Sequence, residues 1–127
     1  MAYDDAGNFQ NSISVTLGAG PYNDLDGSTL QNYANGVTVR YFSGTTNRLV
    51  LTPASGGTTI NSLGAGHVSD GYTILIVNAS TTDNLIFTHL GGGTAANQFS
   101  NVNAGSVALL PLGAARCTYV LGNWKFA

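Results

Sequence analysis

From residue 36 onward the chain is a succession of short segments in which apolar and polar side chains alternate, each closed by Gly, Pro, Asn or Asp. A period of two sends successive side chains to opposite faces, which fits half-buried strands and not helices. Val37-Thr38-Val39-Arg40-Tyr41-Phe42 alternates and turns at Ser43-Gly44-Thr45-Thr46-Asn47. Arg48-Leu49-Val50-Leu51-Thr52 stops at Pro53, and Thr58-Thr59-Ile60-Asn61-Ser62-Leu63 ends at Gly64. Tyr72-Thr73-Ile74-Leu75-Ile76-Val77 is almost wholly apolar, so it is expected to be buried on both faces. Asn84-Leu85-Ile86-Phe87-Thr88-His89 precedes the glycine run 91–93, and Ser106-Val107-Ala108-Leu109-Leu110 stops at Pro111. Arg116-Cys117-Thr118-Tyr119-Val120-Leu121 and Asn123-Trp124-Lys125-Phe126 read as a final hairpin through Gly122. Strands at intervals of roughly 8–12 residues indicate a sandwich or barrel. The expected fold is all-β, an antiparallel, jelly-roll-like β-sandwich. A brief helical turn is expected at residues 94–97, and no internal repeat at a fixed period is apparent.

Residues 1–35 have a different character. They are rich in Asn, Gly and Asp, with Tyr3, Phe9, Tyr22 and Tyr33 as spaced aromatics. Ser12-Ile13-Ser14-Val15-Thr16-Leu17 alternates as a strand does, and Gly20-Pro21-Tyr22-Asn23-Asp24 is turn chemistry. This divides the chain into an extended N-terminal arm, 1–35, and a β-sandwich knob, 36–127. Tyr3, Phe9, Ile13, Val15 and Leu17 are the candidates for docking on another protein by strand addition. An equally weighted alternative makes Ile13, Val15 and Leu17 the first strand of the knob.

Charge narrows the functional classes. Only 8 % of the 127 residues are charged, against about 25 % in an ordinary soluble domain. Four are basic, Arg40, Arg48, Arg116 and Lys125, and all six acids are Asp. Binding to nucleic acid draws on many phosphate-neutralising cations, and binding to anionic membranes draws on basic clusters. Neither partner is expected here. A net charge of −2 favours neutral partners, another protein or a glycan. Residues 1–5 show no basic region and no apolar run, so no secretory signal is expected. No apolar run has the length of a membrane-spanning helix.

The catalytic inventory is thin, and no enzymatic activity is expected. With no Glu, the paired carboxylates of a glycosidase could only be two Asp. Asp26-Gly27 and Asp70-Gly71 are turn dipeptides, and the remaining Asp also sit in turn-like contexts. His67 and His89 form no metal-ligand spacing, so neither a metal nor a cofactor is expected. No nucleophile elbow is present, and the glycine run lacks the Gly-Lys-Ser/Thr of a phosphate loop. Cys117, the sole cysteine, permits no intrachain disulfide and reads as a small buried apolar residue. His89, Asn97, Tyr119 and Trp124 are the candidates for facing a ligand, with core packing the commoner role for such aromatics.

Several segments together resemble a family. Thr58-Thr59-Ile60-Asn61-Ser62-Leu63, Ile74-Leu75-Ile76-Val77-Asn78, Leu85-Ile86-Phe87-Thr88-His89, Ala95-Ala96-Asn97-Gln98-Phe99 and Tyr119-Val120-Leu121-Gly122-Asn123-Trp124 occur in that order. The stretch, residues 58–126, resembles a small β-module of tailed-phage virion proteins: head fibres, tail-fibre tips and capsid decoration (cement) proteins. It departs from the pattern at Gln98, where Arg is expected before the Phe, and in lacking a long fibre-forming region. The resemblance implies a homotrimeric structural protein of the virion surface, made in the host cytoplasm. Its expected partner is the major capsid protein, which Tyr3, Phe9, Ile13, Val15 and Leu17 would contact. The alternative is a receptor- or glycan-binding module of a tail or head fibre, meeting host surface glycan through His89, Asn97, Tyr119 and Trp124.

Overall fold

The computed structural model describes residues 2–3, 9–10, 12–25, 48–65 and 68–126, with side chains described from Ser14 onward. The expected strand at 37–42, its turn at 43–47, Tyr33 and His67 lie outside the described residues.

Among the described residues ten strands follow one another: β1 (Ala2–Tyr3), β2 (Phe9–Gln10), β3 (Ser12–Thr16), β4 (Arg48–Thr52), β5 (Thr58–Ile60), β6 (Tyr72–Asn78), β7 (Leu85–Phe87), β8 (Val107–Leu109), β9 (Ala114–Val120) and β10 (Asn123–Phe126). A single 3-10 turn, Ala95–Asn97, falls where a helical turn was expected. The described chain is therefore all-β. Beside the short pair β1–β2, it forms a five-stranded sheet, ordered β10-β9-β6-β4-β3, and a three-stranded sheet, ordered β5-β7-β8.

The expectation of antiparallel pairing throughout is corrected, because both of these sheets are mixed. β3 pairs parallel with β4, β4 with β6, and β5 with β7. Parallel neighbours need a long crossover, and here each crossover runs through the other sheet. β4 leads to β5 in the second sheet, the chain returns to β6 beside β4, and β6 leads to β7 beside β5. Between these two coils residue i stacks on residue i+27 in both sheets, Arg48 with Leu75 and Thr58 with Leu85. A first coil lies on the other side, with Ser12 beside Arg48 and Tyr22 bridging Ile60. Its offsets from the next coil are 36 and 38 residues respectively, so no fixed period runs through the sequence. Antiparallel strands complete the sheets: β9 and β10 beyond β6, and β8 beyond β7.

One core takes the inward faces of both sheets. Leu49, Leu51, Ile60, Ile74, Ile76, Leu85, Phe87 and Trp124 are fully buried in it. Val15 and Leu17 belong to the same cluster, 6 % and 3 % exposed. Aromatic rings fill the centre, with Phe87 edge-on to Phe99 at 5.2 Å and Phe126 stacked on Phe99 at 5.4 Å. Val15, Leu51 and Asn78 occupy equivalent inward positions on three neighbouring strands. The buried Asn78 is tolerated there because its amide donates to the carbonyls of Asp83 and Leu109, both at 2.9 Å, and accepts from the Ser80 N–H. It pins the turn that sends β6 into β7.

The apolar run at Tyr72–Asn78 is not covered on both faces. Ile74, Ile76 and Asn78 are buried, whereas Leu75 and Val77 face outward and stay partly exposed. Continuous apolarity suggests a strand between two layers, but among the described residues only one layer packs on this sheet.

Candidate functional site

Two regions concentrate polar or unusual side chains. The first is a corner where the three coils stack turn upon turn: Tyr22-Asn23-Asp24-Leu25, Ile60-Asn61-Ser62-Leu63 and Phe87-Thr88-His89-Leu90. Aromatic or aliphatic residues and leucines flank a polar pair in each. The polar pairs bond from coil to coil. The Thr88 hydroxyl donates to Asn61 Oδ1 at 2.7 Å, and Asn61 Nδ2 donates to Asn23 Oδ1 at 2.8 Å.

Asp24 then fastens the following loop to this ladder. Its carboxylate accepts from the Thr94 N–H at 2.8 Å, the Thr94 hydroxyl at 3.0 Å, Asn97 Nδ2 at 3.1 Å and the Ser62 hydroxyl at 3.2 Å. Burial works against the ionised form, but these hydrogen bonds prevail and lower the carboxyl below its ordinary value. Residues 91–93 lie close against the ladder, which explains the glycine run. At Gly93 φ is +79°, and a Cβ would sit 2.6 Å from Asp24 Oδ1. The run therefore permits close packing against a polar corner rather than cradling a phosphate.

The four candidate ligand-facing residues surround this loop, and their groups are engaged within the protein. Asn97 donates to Asp24 and accepts from the Ala65 N–H at 3.0 Å. The Tyr119 hydroxyl donates to the Ala96 carbonyl at 2.9 Å, with its ring edge-on to Trp124. Trp124 is fully buried and donates from Nε1 to the Leu63 carbonyl at 2.9 Å, so it offers no face to a ligand. His89 accepts on Nδ1 from the Asn101 N–H at 2.9 Å. The structure thus gathers Asn97, Tyr119 and Trp124 around one loop and holds His89 beside it. Cys117 is buried, and burial pushes its thiol up, away from the reactive thiolate. Among the described residues no group of His, Cys and Asp has the grouping of a metal site.

The second region is the outer face of the five-stranded sheet. Its register places Ser14, Val50, Val77 and Ala114 in one row and Ser12, Arg48, Leu75 and Arg116 in the next. Lys125 follows, opposite Thr118 on β10. Alternation fixes these directions, because Leu49 and Leu51, Cys117 and Trp124 point into the core beside them. All three described cations, Arg48, Arg116 and Lys125, thus lie on one face around a partly exposed apolar centre of Val50, Leu75 and Val77. The described acids, Asp24, Asp70 and Asp83, lie in turns and not on this face.

Among the residues expected to dock, Val15 and Leu17 are in the core. Tyr3, Phe9 and Ile13 lie in β1, β2 and β3, and their side chains are outside those described. The sequence alone does not mark the outer face. Its one signal was the apolar run at 72–77, which reads as interior until the fold shows what covers it.

Comparison with protein-family models, with curated proteins and with solved structures finds no match.

Proposed function

We propose that this chain is a non-enzymatic capsid decoration protein of a tailed phage, docking on the outer head surface and stabilising the shell. The observation that carries the docking part is the outer face of the five-stranded sheet, which no described residue covers, partly exposed and apolar at its centre and rimmed by cations. Exposed apolar surface with polar borders is the common character of protein interaction sites. The phage assignment rests on the sequence resemblance alone, an argument by analogy.

In this reading the two mixed sheets form a sandwich-like knob, and the N-terminal segment adds Tyr3 and Phe9 as anchors along the neighbouring subunit. Assembly as a trimer matches the local three-fold positions of an icosahedral shell and shields sheet edges. The action is mechanical: each copy bridges capsid subunits, and the binding energy stabilises their assembled state.

Gold-labelled antibody on intact virions tests the location. Label spread over the head is the expected result, and label confined to the tail tip would overturn it in favour of a fibre module. Removing residues 1–11 leaves β3 in place, so the shortened protein should fold and bind heads more weakly. Undiminished binding would exclude the anchoring role of Tyr3 and Phe9.

A further inference from the structure

The turns joining the two sheets carry a feature that neither the docking face nor the polar corner uses. Residues 53–57 link β4 to β5, and residues 79–84 link β6 to β7. The 27-residue stacking of these coils puts Gly56 against Asp83 and Gly57 against Asn84. The Gly56 N–H donates to Asp83 Oδ1 at 2.9 Å, and the Thr58 N–H donates to the Asn84 carbonyl at 3.1 Å. One turn thus presents two polar side chains where its neighbour presents none. The space left by the glycines is an open depression of about 270 Å³, lined by Gly56, Gly57, Thr59, Thr82, Asp83 and Ile86 among others.

We propose that this depression binds a neutral or amino sugar, one ring at a time. Its volume lies just below the roughly 300–1,000 Å³ of drug-sized pockets, which suits a single ring. Asp83 accepts one hydrogen bond on each oxygen, from Gly56 and from the Thr82 hydroxyl at 2.9 Å. A carboxylate has about four lone-pair sites, so both oxygens can still accept from ligand hydroxyls. The Asn84 amide and the Thr59 hydroxyl bond to no other described group and supply a donor and acceptors at neighbouring points. Ile86 offers an apolar patch for the C–H face of a ring. A carboxylate with no cation among the lining residues disfavours phosphates, sulfates and acidic sugars. No aromatic ring lines the depression, so affinity is expected to be millimolar. The depression shares no residue with the docking face.

The test is a two-dimensional NMR titration of the full chain with glucose, galactose, N-acetylglucosamine and glucosamine, with glucuronate and inorganic phosphate as anionic controls. Saturable shifts confined to residues 55–59 and 81–86 with at least one neutral or amino sugar, and none with the anions, are expected. Asp83→Asn should bind about tenfold more weakly, the loss of one charge-assisted hydrogen bond. Should that variant misfold, Thr59→Val, at a position facing outward from β5, should weaken binding in the same direction. Shifts elsewhere, equal response to glucuronate, or no saturable response to any sugar would overturn the proposal.

Discussion

The polar corner and the outer sheet face are built from opposite materials and treat them in opposite ways. At the corner, Asn23, Asp24, Asn61, Ser62, Thr88 and Asn97 make a hydrogen-bonded ladder across three coils, closed over by Gly93. It looks like an active site in composition, yet most of its donors and acceptors bond to one another. On the outer face, Val50, Leu75 and Val77 look like core in composition, yet nothing described covers them. Residue type alone therefore misassigns both regions. What separates them is whether each group already has its partner inside the chain.

That contrast predicts unequal responses to mutation. The largest effect belongs to Trp124→Ala, which removes a fully buried ring, its edge-on contact with Tyr119 at 5.2 Å and its hydrogen bond to the Leu63 carbonyl. A loss of about 3–5 kcal/mol is expected in urea unfolding. A loss under about 1 kcal/mol would mean that the ring is not the prop of the corner.

Asp24→Ala should cost about 0.5–1.5 kcal/mol, because it removes the acceptor of the exposed Thr94 N–H and of the part-buried Asn97 amide. Hydrogen exchange should accelerate at Thr94 while the amides of β6 stay protected. Gly93→Ala attacks the same junction through its +79° φ and the crowding at Asp24, and a loss of about 1–3 kcal/mol is expected. Equal protection of the loop in either variant would show that the ladder does not hold it.

The pH dependence follows from the same carboxylate. Asp24 is lowered from its ordinary value of 3.8 in the folded protein. Its contribution is therefore complete above the unfolded value and disappears as pH falls through the folded one. Acid unfolding of the native protein should show this loss below about pH 4, and Asp24→Asn should remove that component. An unchanged profile in the Asn variant would assign the acid sensitivity to another carboxylate.

At the small end, Arg116→Glu with Lys125→Glu should alter stability by no more than about 0.5 kcal/mol, since both side chains point out from the sheet. A large destabilisation would instead make the outer face part of the folding core.

The sequence made individual strands legible because burial on one face leaves a period-two trace. Arg48–Thr52 alternates outward and inward along its length, and Gly122 marks the final hairpin. Partner choice leaves no such trace. Parallel stacking of β4 on β6 depends on which strand returns beside which, and alternation is the same for either neighbour. The repeat between coils 48–63 and 75–90 is hidden as well, because Val50/Val77 and Leu63/Leu90 are its only identical pairs. Elsewhere shape is kept while chemistry changes, as with Leu51 and Asn78 or Gly56 and Asp83. The roles of the candidate ligand residues are hard to read from the sequence for a related reason. Aromatic and amide side chains suit both binding and packing, and only their internal partners, Ala96 for Tyr119 and Leu63 for Trp124, separate the two.

In the proposed reading, the outer sheet face docks on a shell through apolar contact steered by its cations. The most direct measurement is cosedimentation of the full chain with undecorated phage heads, comparing the native protein with Arg116→Glu/Lys125→Glu at matched stability. Saturable binding by the native protein that weakens with salt is expected, with binding at least about tenfold weaker for the double variant. Native-like binding by that variant, unchanged by salt, would contradict it.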